Sequence, residues 1–200
     1  MGIPFKVNEN VLIPRQDTEI LVENAIMKIG GKKCRVLDLC TGSGCIAISI
    51  SHFCPNVEIV AADISAKALE VAEENNKANQ TNVKFVESDL FENIEGKFDV
   101  IVSNPPYISA EKIKELMPEV SMYEPLIALD GDEDGLAFYR SICGKAGDYL
   151  SDGGYLLYEI GYSQASDVSR IMHENNFVDI QIVKDQASLD RVVIGMRKEE

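Results

Sequence analysis

Short apolar runs alternate with segments of helical periodicity along most of this 200-residue chain. The apolar runs that predict buried strands are residues 36–39, 57–62, 83–86, 98–103 and 155–160. The segments that predict helices are residues 43–53, 65–79, 135–150 and 162–176. Since alternating strands and helices build a parallel sheet with helices on both faces, the pattern predicts an α/β fold.

The last part of the chain departs from this alternation. Residues 178–183 and 191–196 are two apolar runs that only a short polar loop separates. So short a connection makes an antiparallel hairpin, because parallel strands need a longer crossover between them. One strand must therefore run against the others. We predict a seven-stranded, mostly parallel sheet with an antiparallel C-terminal hairpin.

A different piece precedes the first strand. Residues 4–13 carry apolar positions around Asn8-Glu9-Asn10, which predicts an N-terminal β-hairpin. Residues 18–29 predict an amphipathic helix. We expect this piece, residues 1–30, to pack on a larger domain formed by residues 31–200.

Composition narrows the classes of partner. With 46% apolar residues, the chain can bury the core of one ordinary domain. Its net charge of −14 weighs against a partner held through phosphates, so we expect no direct nucleic-acid binding. No run of 18 apolar residues and no signal-peptide core is found, which predicts a cytoplasmic protein without a membrane partner. We expect a monomer.

Cysteine and histidine do not point to a metal. The five cysteines are odd in number and have no CxxC spacing, which favours small buried side chains over ligands or disulfides. His52 and His173 fall in predicted helices without a partner motif. We predict no metal site.

The most informative residues are Asn104-Pro105-Pro106-Tyr107. They follow a strand-like run, so they should lie at the carboxyl edge of the sheet, where ligands bind in folds of this kind. The prolines fix their own φ and hold Asn104 extended, which leaves a rigid corner of outward carbonyl oxygens beside one aromatic ring. Such a corner suits a planar NH2 group, and it is typical of a site that methylates a poor nitrogen nucleophile. The alternative is a purely structural Pro-Pro turn.

A second motif follows the first strand. Cys40-Thr41-Gly42-Ser43-Gly44 combines glycines, which permit a tight turn, with the free N–H groups of the next helix. Asp63 follows about twenty residues on, where a carboxylate can accept hydrogen bonds from both hydroxyls of a ribose. The set predicts an adenosine-containing cofactor. Gly42-x-Gly44-x-x-Ala47 also fits the dinucleotide fingerprint, so a nicotinamide cofactor is a rival.

Two features favour S-adenosylmethionine, with S-adenosylhomocysteine as its product. At the end of the third strand, Asp89 can take an adenine amino group while Leu90 and its apolar neighbours sandwich the ring. The corner at Asn104, which we also expect to contact the cofactor, has no use in hydride transfer.

These motifs resemble those of class I methyltransferases, specifically the HemK/PrmC glutamine methyltransferases of peptide chain release factors. The resemblance covers nearly the whole chain, and the similar segments are residues 5–19, 38–44, 104–107, 123–131, 134–136, 153–154, 159–162 and 190–193. Cys40 stands where many class I enzymes carry glycine. The family has a small helical domain ahead of the catalytic one, and this sequence begins about where the catalytic domain begins.

The resemblance implies a Rossmann-like fold and methyl transfer from S-adenosylmethionine to the side-chain amide nitrogen (N5) of a glutamine, in the Gly-Gly-Gln loop of a release factor. In such an enzyme, Asn104 and the Pro105 carbonyl accept the two amide hydrogens, and Pro106 and Tyr107 complete the corner. Residues 123–131 and 134–136, which include Tyr123 and Glu124, resemble the family's lid. The segment 109–134 is long and its prolines break helical runs, so we predict a mobile lid that orders over the substrate; the alternative is an ordinary surface excursion.

Three other functions stay open at this stage. The Asn-Pro-Pro-Tyr motif is shared with adenine N6-methyltransferases that act on nucleic acid, although the acidic charge disfavours that substrate. A NAD-binding Rossmann oxidoreductase and a non-catalytic cofactor-binding module are further alternatives.

Overall fold

The fold centres on one twisted sheet with helices on both faces. The computed structural model describes residues 1–115 and 124–198. In that part of the chain the sheet has seven strands: β1 (Arg35–Leu39), β2 (Glu58–Asp63), β3 (Val83–Glu87), β4 (Phe98–Ser103), β5 (Leu150–Glu159), β6 (Phe177–Lys184) and β7 (Asp190–Arg197). The helices are α1 (Thr18–Ile29), α2 (Cys45–Phe53), α3 (Ala66–Ala78), α4 (Ala110–Ile113), α5 (Ala137–Tyr149) and α6 (Ala165–Glu174), with a 3-10 turn at Leu126–Ala128.

The strands lie in the order β3-β2-β1-β4-β5-β7-β6. All neighbouring pairs from β3 to β5 are parallel, whereas β7 pairs antiparallel with both β5 and β6. The predicted fold, with one reversed strand in a C-terminal hairpin, is therefore confirmed. Chain order reverses between β1 and β4, so the crevice at their carboxyl ends is the place where a ligand is expected.

Two apolar clusters cover the two faces of the sheet. Helices α1 and α2 contribute Leu21, Val22, Ile46 and Ile48 to one of them, and all four side chains are almost completely buried. Helices α5 and α6 contribute apolar residues, among them Tyr139 and Val168, to the other. Because α1 shares its core cluster with the sheet, the first thirty residues are packed on the rest of the chain. The division at residue 30 stays a prediction.

Most element boundaries agree with the sequence pattern, and β5 differs most. It begins at Leu150, five residues before the predicted start at Tyr155. The register to β4 shifts between the pairs Phe98–Leu150 and Val100–Tyr155, so the strand passes through an irregularity. Gly153 adopts φ +71° there, a conformation that glycine accepts without strain.

The predicted N-terminal β-hairpin is wrong. Residues 4–13 form the expected turn, in which the Val11 N–H donates to the Asn8 carbonyl at 3.3 Å, but none of them belongs to a strand. The backbone is bound instead by side chains of α3. Asn75 accepts from the Lys6 N–H at 2.8 Å and donates to the Lys6 carbonyl at 3.0 Å, and Asn79 donates to the Pro4 carbonyl. These bonds occupy the groups that a partner strand would have used.

Within residues 1–115 and 124–198, no helix combines the length and apolar character needed to cross a membrane.

We expect Asn75→Ala to lower the free energy of unfolding by about 1–3 kcal/mol, because it leaves the buried Ser43 carbonyl and the partly buried backbone groups of Lys6 without their side-chain partner. Asn75 is fully buried and also donates to the Ser43 carbonyl at 3.0 Å, so it joins the N-terminal segment to the loop after β1. Urea unfolding measures the change. The matched control is Asn82→Ala at an exposed position, expected to change stability by less than about 0.5 kcal/mol. Equal stabilities for the two variants would contradict this role.

Candidate functional site

A cavity of about 400 Å³ opens at the carboxyl edge of the sheet, at the point where chain order reverses. Nine of the residues predicted from sequence line it: Cys40, Thr41, Gly42, Ser43, Asp63, Asp89, Leu90, Asn104 and Pro106. Gly44, Pro105 and Tyr107, also predicted, are not among the lining residues. The fold thus brings segments from the ends of β1, β2, β3 and β4 to one cavity, while each residue's role toward a ligand stays a prediction.

The loop after β1 has three residues in the left-handed region of backbone space: Cys40 (φ +59°), Gly42 (φ +55°) and Gly44 (φ +79°). A Cβ atom on Gly42 would meet nothing within 4 Å, so the loop leaves open space there. A Cβ on Gly44 would lie 2.9 Å from Ile48 and 3.1 Å from Ala72, so this glycine permits close packing of α2 on α3. Cys40 holds a conformation that costs a residue with a side chain of order 1–3 kcal/mol.

Asp63, the last residue of β2, organises the same loop. Its Oδ2 accepts from the Gly42 N–H at 2.8 Å and its Oδ1 accepts from the Ser65 N–H at 2.9 Å. Burial raises the pKa of this carboxyl, and backbone hydrogen bonds from Ser65, Gly42 and Ile64 oppose that rise. Because each carboxylate oxygen can accept more than one hydrogen bond, Asp63 keeps acceptor capacity toward the cavity that it lines.

Asp38 is a buried acid that is not among the site residues predicted from the sequence. Its Oδ2 accepts from the Thr41 hydroxyl at 2.6 Å and from the Ala47 N–H at 3.2 Å, which ties the loop to the start of α2. Burial raises its pKa to about 7. The signal available in the sequence was a charged residue within the otherwise apolar strand Val36-Leu37-Asp38-Leu39.

The wall beyond β3 combines an acid with apolar surface. Asp89 is exposed at the cavity, and Leu90 adopts φ +49°, with its carbonyl bound by the Ser88 hydroxyl at 2.9 Å. Ile64 and Phe138 line the cavity as well. Neither was predicted from the sequence, because single apolar residues carry no chemical signature.

The side chain of Gln164 forms hydrogen bonds that hold the backbone of the corner after β4. Its Nε2 donates to the Tyr107 carbonyl at 3.0 Å and to the Gly135 carbonyl at 3.1 Å, and its Oε1 accepts from the Gly161 N–H at 2.9 Å. Burial raises the pKa of the Tyr107 phenol to about 12, so the ring is neutral at physiological pH. Gln164 was not predicted, since it lies 57 residues from Tyr107 in the chain.

Two glycines let the chain pack directly against this corner. A Cβ on Gly131 would lie 2.8 Å from the Tyr107 Cα, and one on Gly135 would collide with the Tyr107 carbonyl. The Gly131 N–H also donates to the Ile108 carbonyl at 2.9 Å. Residues 131–135 therefore fix the position of the backbone that follows the prolines.

The predicted lid is described only in part, and Tyr123 lies outside the described residues. Glu124 is buried, with 7% of its surface exposed, and forms an ion pair with Arg15, which lines the cavity. The contact joins two segments 109 residues apart. The mobility of residues 109–134 stays a prediction.

Comparison with known proteins places the chain in a family. The profile of the family described as "Methyltransferase small domain" matches residues 15–121. A release factor glutamine methyltransferase of Fusobacterium nucleatum is 48% identical over 98% of this chain, and one of Clostridium acetobutylicum is 46% identical over 98%. The chain spans 56% of the length of the first relative and 71% of the second.

Solved structures agree on the fold. A methyltransferase from Pyrococcus furiosus superimposes with a TM-score of 0.70 at 16% identity, over 98% of this chain and 90% of that one. A ribosomal protein L11 methylase from Lactobacillus delbrueckii gives 0.68 at 24% identity, over 94% and 82%. At these identities the likeness concerns the fold alone, and it confirms the predicted methyltransferase architecture. The relatives of 46–48% identity confirm the family predicted from the motifs: this chain belongs to the release factor glutamine methyltransferases.

Proposed function

We propose that this protein transfers a methyl group from S-adenosylmethionine to the side-chain amide nitrogen of a glutamine, in the Gly-Gly-Gln loop of a peptide chain release factor. The observation that carries the proposal is the position of the corner. Asn104 and Pro106 line the same cavity as Asp63 and Asp89, so the corner lies beside the space that an adenosine group would enter. The names of the curated relatives supply the substrate.

The cavity suits S-adenosylmethionine, which would supply an electrophilic methyl group on a sulfonium. Asp63 would accept hydrogen bonds from the ribose hydroxyls, and Asp89 would accept from the adenine amino group between the apolar side chains of Leu90 and Ile64. The open space beside Gly42 leaves room for a ligand against the loop. Apart from Gly44, the residues predicted from sequence to contact the cofactor all line this cavity.

Asn104 would activate the substrate by orientation. An amide nitrogen is a poor nucleophile because its lone pair is delocalised into the carbonyl. Two acceptors, the Asn104 side-chain oxygen and the Pro105 carbonyl, would bind both hydrogens of the glutamine NH2 and so localise the lone pair on the nitrogen. Orientation of this kind is worth about 7–11 kcal/mol in favourable cases.

The same acceptors would stabilise the transition state, since the nitrogen becomes cationic as the new bond forms. Tyr107 would pack on the amide plane. No strong base is required, because the methylated cationic nitrogen is acidic and loses its proton to water.

The proposal also fixes the biological setting. A release factor as protein substrate places the enzyme with the translation machinery of the cytoplasm. We keep the expectations of a monomer and of no direct nucleic-acid binding, the latter supported by the net charge of −14.

The decisive experiment is incubation with methyl-labelled S-adenosylmethionine and release factors, followed by mapping of the modified residue. Label on the glutamine of the Gly-Gly-Gln loop supports the proposal. Label on adenine in added DNA or RNA would support the nucleic-acid alternative instead. Binding of NADH in preference to S-adenosylmethionine would replace it with an oxidoreductase.

We expect Asp63→Ala to weaken S-adenosylmethionine binding about ten- to hundredfold, because hydrogen bonds to a charged acceptor are worth roughly 1.5–3 kcal/mol. Calorimetric titration measures the affinity. The matched control is Asp148→Ala on the exposed side of α5, which should bind as the parent does. Unchanged affinity in a folded Asp63→Ala protein would remove Asp63 from the site.

We expect Asn104→Ala to keep the fold and most of the cofactor affinity but to lower the rate of methyl transfer by about two to three powers of ten. Loss of one acceptor that acts mainly in the transition state has a cost of that size. Single-turnover kinetics with saturating cofactor isolates this step. Exposed Asn82→Ala is the control, and a folded Asn104→Ala protein that transfers methyl groups at the parent rate would show that the corner is structural.

A further inference from the structure

Glu159 is a buried acid beside the proposed reaction site. It is the last residue of β5 and is 2% exposed. Ser103 pairs with Tyr158 in the parallel β4–β5 ladder, so the next residues, Asn104 and Glu159, emerge side by side at the carboxyl edge. Asn104 lines the cavity, whereas Glu159 is not among the lining residues.

The carboxyl of Glu159 lacks part of the hydrogen bonding that its burial demands. Its Oε2 is buried and has no hydrogen-bond partner within residues 1–115 and 124–198. A buried carboxylate without donors is costly, so such a group is kept where it has a task or gains a donor in another state. Burial raises the pKa of the Glu159 carboxyl to about 7. Hydrogen bonds with the Thr18 hydroxyl and the Asn104 amide, together with the positive charge of Arg191, act in the opposite direction and lower this pKa.

The other two donors near Glu159, Thr18 and Arg191, have little capacity left to bind its carboxylate. Thr18 offers one hydroxyl hydrogen, and Arg191 binds Asp185 at 2.9 Å and Asp17 at 3.4 Å. The remaining titratable neighbours carry no positive charge: Asp17, Tyr107, Tyr139 and Cys45. The NH2 group of Asn104 is thus the donor best placed to complete the hydrogen bonding of the Glu159 carboxylate.

We propose that Glu159 is a positioning residue for Asn104: its carboxylate accepts a hydrogen bond from the Asn104 NH2 and so holds the Asn104 oxygen toward the cavity. The inference rests on the proposed methyl transfer at this corner. Such a contact would fix the orientation of the Asn104 amide. The oxygen and the NH2 group of an amide have nearly the same shape but opposite hydrogen-bonding character, so packing alone does not distinguish the two orientations.

Orientation matters because the substrate's reacting group is itself an NH2. If the Asn104 amide were flipped, its NH2 would face the glutamine NH2, and neither could accept. A charged acceptor on one side fixes the orientation and also polarises the amide, which makes its oxygen a stronger acceptor on the other side.

The contact can be tested without enzymatic activity. The side-chain NH2 resonances of Asn104, assigned by their loss in Asn104→Ala, should shift with a midpoint near pH 7 as Glu159 titrates. In Glu159→Gln this shift should vanish, whereas exposed Glu174→Gln should keep it. A resonance that is independent of pH in the parent, or that titrates equally in Glu159→Gln, would overturn the proposal.

Stability separates positioning from a structural role. The folded-state pKa of Glu159 lies above the usual value of 4.5, so the folded protein binds this proton more tightly than the unfolded chain does. The resulting stabilisation is present at low pH and is lost as pH rises toward 7. At pH 8, Glu159→Gln should therefore have a Tm equal to or above that of the parent. A clear fall in Tm would assign Glu159 to the fold instead.

Whereas Glu159→Gln should leave the Tm unchanged or raise it, the same substitution should lower the activity. We expect Glu159→Gln to lower kcat about tenfold, since a neutral acceptor is roughly half as strong as a charged one. KM for S-adenosylmethionine should stay within about twofold of the parent, because a transition-state contact is affected. An unchanged kcat would overturn the proposal.

A paired substitution gives the sharpest test. Asn104→Asp places a second carboxylate against Glu159, and like charges at contact repel. Adding Glu159→Gln supplies an NH2 donor to the new carboxylate, so the double variant should be faster than Asn104→Asp alone. A double variant that is no faster would contradict the pairing. If the parent methylates no release factor while its Asn104 resonances titrate as expected, the proposed function fails and the contact stands.

Discussion

The parallel pairing of β1 with β4 is the constraint on which the site depends. The register runs from Val36–Val100 to Leu39–Ser103, so both strands end at the same level. The Ser103 hydroxyl donates to the Leu39 carbonyl at 2.8 Å and fastens the two ends together. The loop proposed to bind the cofactor begins at the residue after Leu39, and the Asn-Pro-Pro-Tyr corner begins at the residue after Ser103. A one-residue slip between these strands would move loop and corner apart by a strand rise and turn their side chains to opposite faces.

Around this pair, the molecule holds features that local energetics disfavour. Cys40 and Leu90 carry side chains at positive φ, and both line the cavity. Asp38 and Glu159 are acids inside the core, each with a pKa raised to about 7 by burial. Such costs persist where the surrounding structure over-determines the conformation. These four residues lie at or next to the carboxyl ends of β1, β3 and β5, which is consistent with a ligand site at this edge.

The supports of the site come from distant parts of the chain. Gln164, just before α6, holds the backbone of the corner, and glycines at 131 and 135 allow the preceding loop to pack against it. The N-terminal segment is bound to α3 through Asn75, and Arg15, which lines the cavity, forms an ion pair with Glu124. The backbone of the corner is thus held by contacts from distant residues, and a fixed corner is what the proposed alignment of a weak nucleophile requires.

The sequence by itself determined the features that arise from short stretches of chain. Apolar periodicity located the strands and helices, the short final connection implied the reversed strand, and the dihedral limits of proline and glycine marked the corner and the cofactor loop. Tertiary structure decided what depends on residues far apart. Gln164 and Tyr107 are 57 residues apart, Asn75 and Lys6 are 69, and Arg15 and Glu124 are 109. The failed N-terminal hairpin has the same cause. Its turn was encoded locally, but the bonding partners of its backbone belong to a helix some seventy residues away, and only the folded chain brings them within hydrogen-bonding distance.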